Sequence, residues 1–332
     1  AENAKKELSS WSPAEIAADK KMIVTHVPET KLSKAHYQCS IPWKNGTKPN
    51  LKNNSLGIKI RQSRTTSKNY LIKKGTNMDE VKEYFSKLES KGYISKIDNE
   101  LVKEADSYYL PWFPVIDRTR DTTKMRIVFD ASAKDNEGKS LNSEIENTPN
   151  RLNDLASLIM TFRMYKYTLT ADISEMFLCI KMIESDRKYH RFFIDNELYQ
   201  WNSIIFGEMS SPDISQKVIT LCALSQDLPL AHKIVTESTY MDDTIYSTKS
   251  VEDAIETCKQ LIQCYKKAGM PIGKFYSNSK EILKCIPREL HSKKISFNHK
   301  DPEIEASKVL GMIYDATKDQ FTYKCKFDNA IE

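Results

Sequence analysis

"TYMDDTIYS", residues 239–247, sets two carboxylates side by side in sequence that otherwise favours a strand. Asp is depleted in strands and adjacent like charges repel. Asp242 and Asp243 therefore need a reason to stand between Thr239-Tyr240 and the run Thr244, Ile245, Tyr246. A β-hairpin with the acidic pair at its tip supplies one, and it makes the sheet at least partly antiparallel. Tight turns favour Gly, Asn or Asp where φ is positive, and Met241 is none of these. A bulky residue there predicts tolerated strain, which collects at functional sites. The bland reading is a polar turn in solvent. The sharper one is a turn set against something doubly positive.

"LTADISEMF" (169–177) offers a third carboxylate, because Asp172 follows the β-favouring Tyr167, Leu169 and Thr170 and so ends a strand. Hard divalent cations take carboxylate oxygen, and an all-Asp set with no nearby His favours Mg²⁺ or Mn²⁺ over zinc. Two such ions about 4 Å apart activate a hydroxyl and stabilise a leaving group. Taken singly, a surface "DD" or a strand-end Asp is more often solvated than metal-binding. Their combination in a hairpin and a preceding strand end shifts the balance to function.

At 332 residues, 40% hydrophobic and 29% charged, the chain has room for one large core or two to three subdomains. A net charge of +5 gives only weak general attraction for a polyanion, so local clusters must carry such a reading. The seven cysteines are an odd number without a C-x-x-C pair, which predicts buried free thiols in a reducing compartment and no zinc site. No apolar run reaches the 18 or so residues of a membrane span, and the polar N-terminus is no signal peptide. A start at Ala1 suggests a fragment.

Residues 1–55 read as a polar, irregular extension anchored by Trp11, Tyr37 and Trp43. "TNMDEVKEYFSKLESKGY" (76–93) reads as a helix with Thr76 and Asp79 as capping box and Gly92 as stop. "YYLPWFPVI" (108–116) and "KMRIVFDAS" (124–132) read as strands joined by a charged turn, with Asp130 on the second. "RLNDLASLIMTFRMY" (151–165) presents Leu152, Leu155, Ile159 and Phe162 on one helical face. "YTLTADI" (167–173) and "FLCIKMI" (177–183) read as short strands. A helix starting in "SSPDISQ" has Ser211 as cap and Pro212 first. The clearest helix is 251–268, with Ser250 and Asp253 as capping box and Gly269 as stop. The expected class is α+β.

The chain resembles reverse transcriptases, and its wording resembles the Pao/BEL group of LTR retrotransposons. The matching stretches are "YQCSIPWK", "YYLPWFPVI", "TKMRIVFDAS", "KYTLTADISEMF", "DRKYHRFF", "FGEMSSP", "YMDD" and "ASKVLGMIYD", in family order over most of the chain. The resemblance implies a right-hand polymerase fold, fingers and palm with an antiparallel palm sheet and a largely absent thumb. Its expected bounds are an extension at 1–55, fingers at 56–147 and 181–210, palm at 148–180 and 211–318, and a palm–thumb connection beginning at 319–332.

Carried over residue by residue, Asp172, Asp242 and Asp243 are the catalytic carboxylates, and the Ile173 carbonyl also reaches a metal. Phe177 matches the aromatic gate that would clash with a ribose 2′-hydroxyl, although an isolated Phe is more often core. Arg126 matches an arginine on the triphosphate, whose planar fork suits phosphate. Arg118 and Arg120 compete for a second such role, with Arg118 favoured. Phe206 and Gly207 shape the nucleotide pocket, and Phe206 stands where many retroviral enzymes have Gln. Lys274 falls near the leaving pyrophosphate, where a surface lysine is the commoner case. Leu310, Gly311 and Met312 resemble the primer grip. Arg163, Lys166, Lys181, Arg187, Lys188 and Arg191 offer phosphate contacts around Asp172.

The implied activity is RNA- and DNA-templated DNA synthesis from dNTPs with two Mg²⁺ ions, Mn²⁺ being possible. A primed RNA or DNA template is the implied partner, with thumb, RNase H and integrase domains of one polyprotein. The implied location is cytoplasmic, in virus-like particles, with no membrane contact. A non-catalytic or co-opted nucleic-acid-binding remnant is the alternative. An RNA-dependent RNA polymerase shares the palm, and Phe177 argues against it.

Overall fold

A computed structural model describes residues 11–31, 33–98, 100, 102, 108–118, 125–298 and 301–322. Contacts divide the chain into two units. The first comprises Ala1–Leu32, His36–Asn150 and Phe177–Ser215; the second comprises Ser33–Ala35, Arg151–Met176 and Gln216–Glu332.

The second unit is built on a four-stranded antiparallel sheet ordered Thr239–Tyr240, Asp243–Thr248, Tyr167–Ile173, Ile272–Ser277. Ala171, Thr244 and Ile245 are buried, as expected for central strands whose side chains alternate between faces. Helix Val251–Lys267 covers the sheet with Val251, Ala254, Cys258, Leu261, Cys264 and Tyr265. Ser250 caps it, its hydroxyl accepting from the Asp253 N–H at 3.1 Å, and Gly269 follows with φ +68°. A smaller sheet of Ser307–Val309, Met312–Asp315 and Gln320–Thr322 shares a cluster with Leu158, Phe162, Ile245 and Tyr276.

In the first unit, Trp112–Ile116 pairs antiparallel with Met125–Phe129. Ile94–Ile97, Glu197–Trp201 and Arg191–Ile194 form a second antiparallel sheet. Phe85, on helix Met78–Ser90, packs against Trp112 and Phe192 at centroid distances of 5.0 and 5.6 Å. A third sheet carries the parallel pairing of His36–Cys39 with Lys181–Met182. Helices with mainly antiparallel sheets make this an α+β fold.

Several expectations from sequence need correction. Residues 13–55 are not irregular: they contain helix Pro13–Lys21 and strands Val24–Val27 and His36–Cys39, with Tyr37 and Trp43 buried. Their apolar residues are too sparse for a periodic signal, because the rest of the unit supplies the burial. Asn77, not Thr76, caps Met78–Ser90, its side chain accepting from the Glu80 N–H; Thr76 instead donates to the Glu80 carboxylate. Helix Leu155–Phe162 starts after Asp154, buries Leu158 and Phe162, and leaves Leu155 exposed. "FLCIKMI" folds as the short helix Met176–Cys179 followed by the two-residue strand Lys181–Met182. Ser211 is the first residue of its helix and Pro212 the second. Asp130 lies one residue beyond its strand. Cys39, Cys179, Cys222, Cys258 and Cys264 are buried free thiols, Cys285 is exposed, and Cys325 lies outside the described residues.

Candidate active site

The sheet of the second unit brings the acidic residues to one end. Asp243 opens its strand directly opposite Asp172 on the neighbouring strand, and Gly273 faces Asp172 from the other side. Tyr240 pairs with Asp243, so Met241 and Asp242 form the turn. Met241 has φ +55°, the strain expected of a bulky residue there. The Ile173 N–H donates to the Asp242 carbonyl at 2.8 Å, tying the turn to the strand end, and the Gln216 side-chain amide donates to the Met241 carbonyl at 3.2 Å. Nothing in the sequence marks Gln216, because a helical Gln carries no distinguishing signal.

Lys274 Nζ lies 2.6 Å from Asp172 Oδ1, an oxygen that also accepts from Ser174 Oγ at 3.2 Å. Burial, with Asp242 and Asp172 adding repulsion, pushes the half-buried Asp243 carboxyl up to about 7, against the pull of Lys274. This end of the sheet is short of positive charge. Among the described residues no group of three or more His, Cys, Asp and Glu is gathered as an ion cage. The donors present are nonetheless all hard oxygen, and the raised Asp243 carboxyl marks a place where a hard cation would be favoured. The residues fit Mg²⁺ or Mn²⁺ in kind.

The first unit organises the segment Phe206–Ser210. Gly207 has φ +102°, and a Cβ there would meet the Phe129 carbonyl oxygen at 2.2 Å, so the position requires glycine. Asn142 holds the segment twice: its side-chain amide donates to the Gly207 carbonyl at 3.1 Å, and its side-chain oxygen accepts from the Met209 N–H at 2.9 Å. Beneath it, Glu208 is buried against His190 Nε2 at 2.7 Å and accepts from Ser210 Oγ. An acidic residue amid the apolar "IIFGEM" was the available sign of such a partner; Asn142 gave none. The Phe177 ring, 6% exposed, packs on the exposed Phe206 ring at 4.7 Å.

The other candidates are distributed unevenly. Arg126 is exposed on Met125–Phe129, with no ion-pair partner among the described residues. Arg118 donates to the Gly75 carbonyl and the Glu80 carboxylate, both at 2.7 Å; Arg120 lies outside the described residues. Leu310 and Gly311, with φ +47° and +86°, form a hairpin turn in which Val309 pairs with buried Met312. The basic residues do not form one exposed cluster. Arg163 and Lys166 are exposed in the second unit. Lys181, Arg187, Lys188 and Arg191 are half-buried in the first. There Lys181 donates to the Gly92 carbonyl and Arg187 to the Met182 carbonyl.

Residues 114–275 match the reverse transcriptase (RNA-dependent DNA polymerase) family. That stretch holds Asp172, Asp242, Asp243 and Lys274. The chain is similar to the foamy viral protease-reverse transcriptase in complex with an RNA/DNA hybrid. The TM-score is 0.50 at 14% identity, over 72% of this chain and 26% of that one. The same comparison with the foamy viral protease-reverse transcriptase in complex with double-stranded DNA gives 0.49 and 16%, over 73% and 34%. This chain thus spans about a third or less of the length of these solved chains. The first likeness shows the fold, the α+β arrangement of retroviral fingers and palm. No curated protein matches the sequence.

Proposed function

We propose that the chain is the fingers and palm of a retroelement polymerase, of the Pao/BEL kind its motifs resemble, which extends a primer on an RNA or DNA template with dNTPs. The observation that carries this reading is the register that sets Asp243 opposite Asp172, with Asp242 in the adjoining turn, inside the family segment. When bound there, two Mg²⁺ ions, or Mn²⁺, supply Lewis acidity to the primer hydroxyl and the leaving pyrophosphate.

Asp172 and Asp242 are the main ligands in this reading, with Asp243 and the Ile173 carbonyl in support. Arg126 and Arg118 orient the triphosphate, and Arg118 must release Glu80 to do so. Phe177 excludes the 2′-hydroxyl, and Phe206 with Gly207 shapes the wall of the nucleotide pocket. Leu310, Gly311 and Met312 hold the primer end. Fingers at 56–147 and 181–210 and palm at 148–180 and 211–318 belong to the same reading. So does a setting in cytoplasmic virus-like particles, beside other domains of one polyprotein.

Primer extension on an RNA template with and without Mg²⁺ tests it. Asp242→Asn should keep the circular dichroism of the wild type and abolish dNTP incorporation. Undiminished extension by that variant overturns the assignment.

A further inference from the structure

The ion pair between Lys274 and Asp172 is made by a strand that departs from regular geometry to make it. Gly273 lies opposite Asp172, and the register shifts between Gly273 and Tyr276. In a regular strand the residue after Gly273 would project to the face away from Asp172. Lys274 instead has φ +53° within this irregularity, and its ammonium lies 2.6 Å from Asp172 Oδ1. A lysine gains nothing locally from a left-handed backbone, and Asp172 is its only ion-pair partner among the described residues. The bend places the ammonium against Asp172.

The environment gives the aim a purpose. Asp243 stands opposite Asp172 and next to Asp242 at the end of the sheet, and like charges so placed repel. The Lys274 side chain is 46% exposed and that of Asp172 18%, so the ion pair is in contact with solvent. It carries one charge and only donors, whereas a divalent ion carries two and accepts several oxygen ligands.

We propose that Lys274 is a tethered counter-ion that occupies a cation's place on Asp172 until a divalent ion displaces it. This rests on the reading of Asp172 as a metal ligand. Asp172 Oδ1 is already engaged by the ammonium, at 2.6 Å. The ion's apparent affinity is then the outcome of a competition, so that the resting chain discriminates against weakly bound cations.

The test is Mn²⁺ titration of the full chain, without nucleotide or nucleic acid, with free Mn²⁺ read by electron paramagnetic resonance. Lys274→Gln should bind Mn²⁺ on the order of tenfold more tightly than wild type, since a charge competitor is gone. Asp172→Asn should lose that binding. In wild-type protein labelled at lysine Nζ, Mg²⁺ should move one resonance, missing in Lys274→Gln, to the position of solvated lysines. Equal or weaker Mn²⁺ binding by Lys274→Gln, with Asp172→Asn still deficient, overturns the displacement and leaves the metal reading standing. An unmoved lysine resonance at saturating Mg²⁺ also overturns it. Absence of Mn²⁺ binding in all three chains overturns both.

Discussion

At the scale of single residues, Gly207 and Phe177 show how packing and proposed function meet in one side chain. A methyl at Gly207 meets backbone rather than a flexible side chain, in a conformation that L-residues rarely adopt. Gly207→Ala should therefore lose about 1–3 kcal/mol or more of stability, read by urea unfolding. Phe177 is buried, so Phe177→Ala should cost about 3–5 kcal/mol through the cavity it leaves. If the ring is also the sugar gate, the same variant should raise rNTP use relative to dNTP under conditions where it is folded. An unchanged ratio would reduce Phe177 to core. Both residues were legible in the sequence, but the reason for Gly207 was not. The atom that a side chain there would meet is the Phe129 carbonyl oxygen, distant in sequence.

Among the elements, the 239–248 hairpin carries its own strain. Met241 has φ +55° in the two-residue turn, so Met241→Gly should relieve it and raise stability by about 1 kcal/mol, seen as a higher urea midpoint with unchanged slope. A lower midpoint would mean that Met241 packing outweighs the backbone term. This turn was readable because acidic residues interrupt a β-favouring run. Helix Val251–Lys267 was readable because its apolar stripe is long and flanked by a Ser cap and a Gly stop. "FLCIKMI" misled because a short apolar run has no period that separates helix from buried strand. The sequence reads Thr76 as the cap, one residue before Asn77, because Thr and Asn are both good caps and only geometry chooses.

For the molecule as a whole, buried protons govern alkaline stability. Burial pushes Tyr276 and Tyr314 up to about 12 from an ordinary 10.0, and Cys258 up to about 12 from 9.0. The folded chain keeps these protons where the unfolded chain releases them. Their contribution is full below pH 9 and is lost as pH rises from 9 to 12. Lys181 acts in the opposite sense: burial lowers it to about 8 from 10.5, so its cost fades as pH rises from 8 to 10.5. Three groups against one predict lower stability at pH 11 than at pH 8.5 in urea unfolding. Tyr314→Phe should shrink that loss; an equal loss in this variant would remove Tyr314 from the account.

The sequence by itself determined the acidic hairpin, the strand end at Asp172, the long capped helix and the α+β class. Each is written in neighbouring residues, through side-chain period, caps or a run broken by charge. Only the tertiary structure decided that Asp243 stands opposite Asp172, that Lys274 holds Asp172, and that Asn142 and His190 support the Phe206–Ser210 segment. It also buried Tyr37 and Trp43 in a segment that reads as irregular. These facts depend on strand register, on a backbone irregularity of one residue, and on partners tens of residues apart. Local propensity cannot encode such relations, because the free energy that selects them comes from surfaces that meet only when the chain is folded.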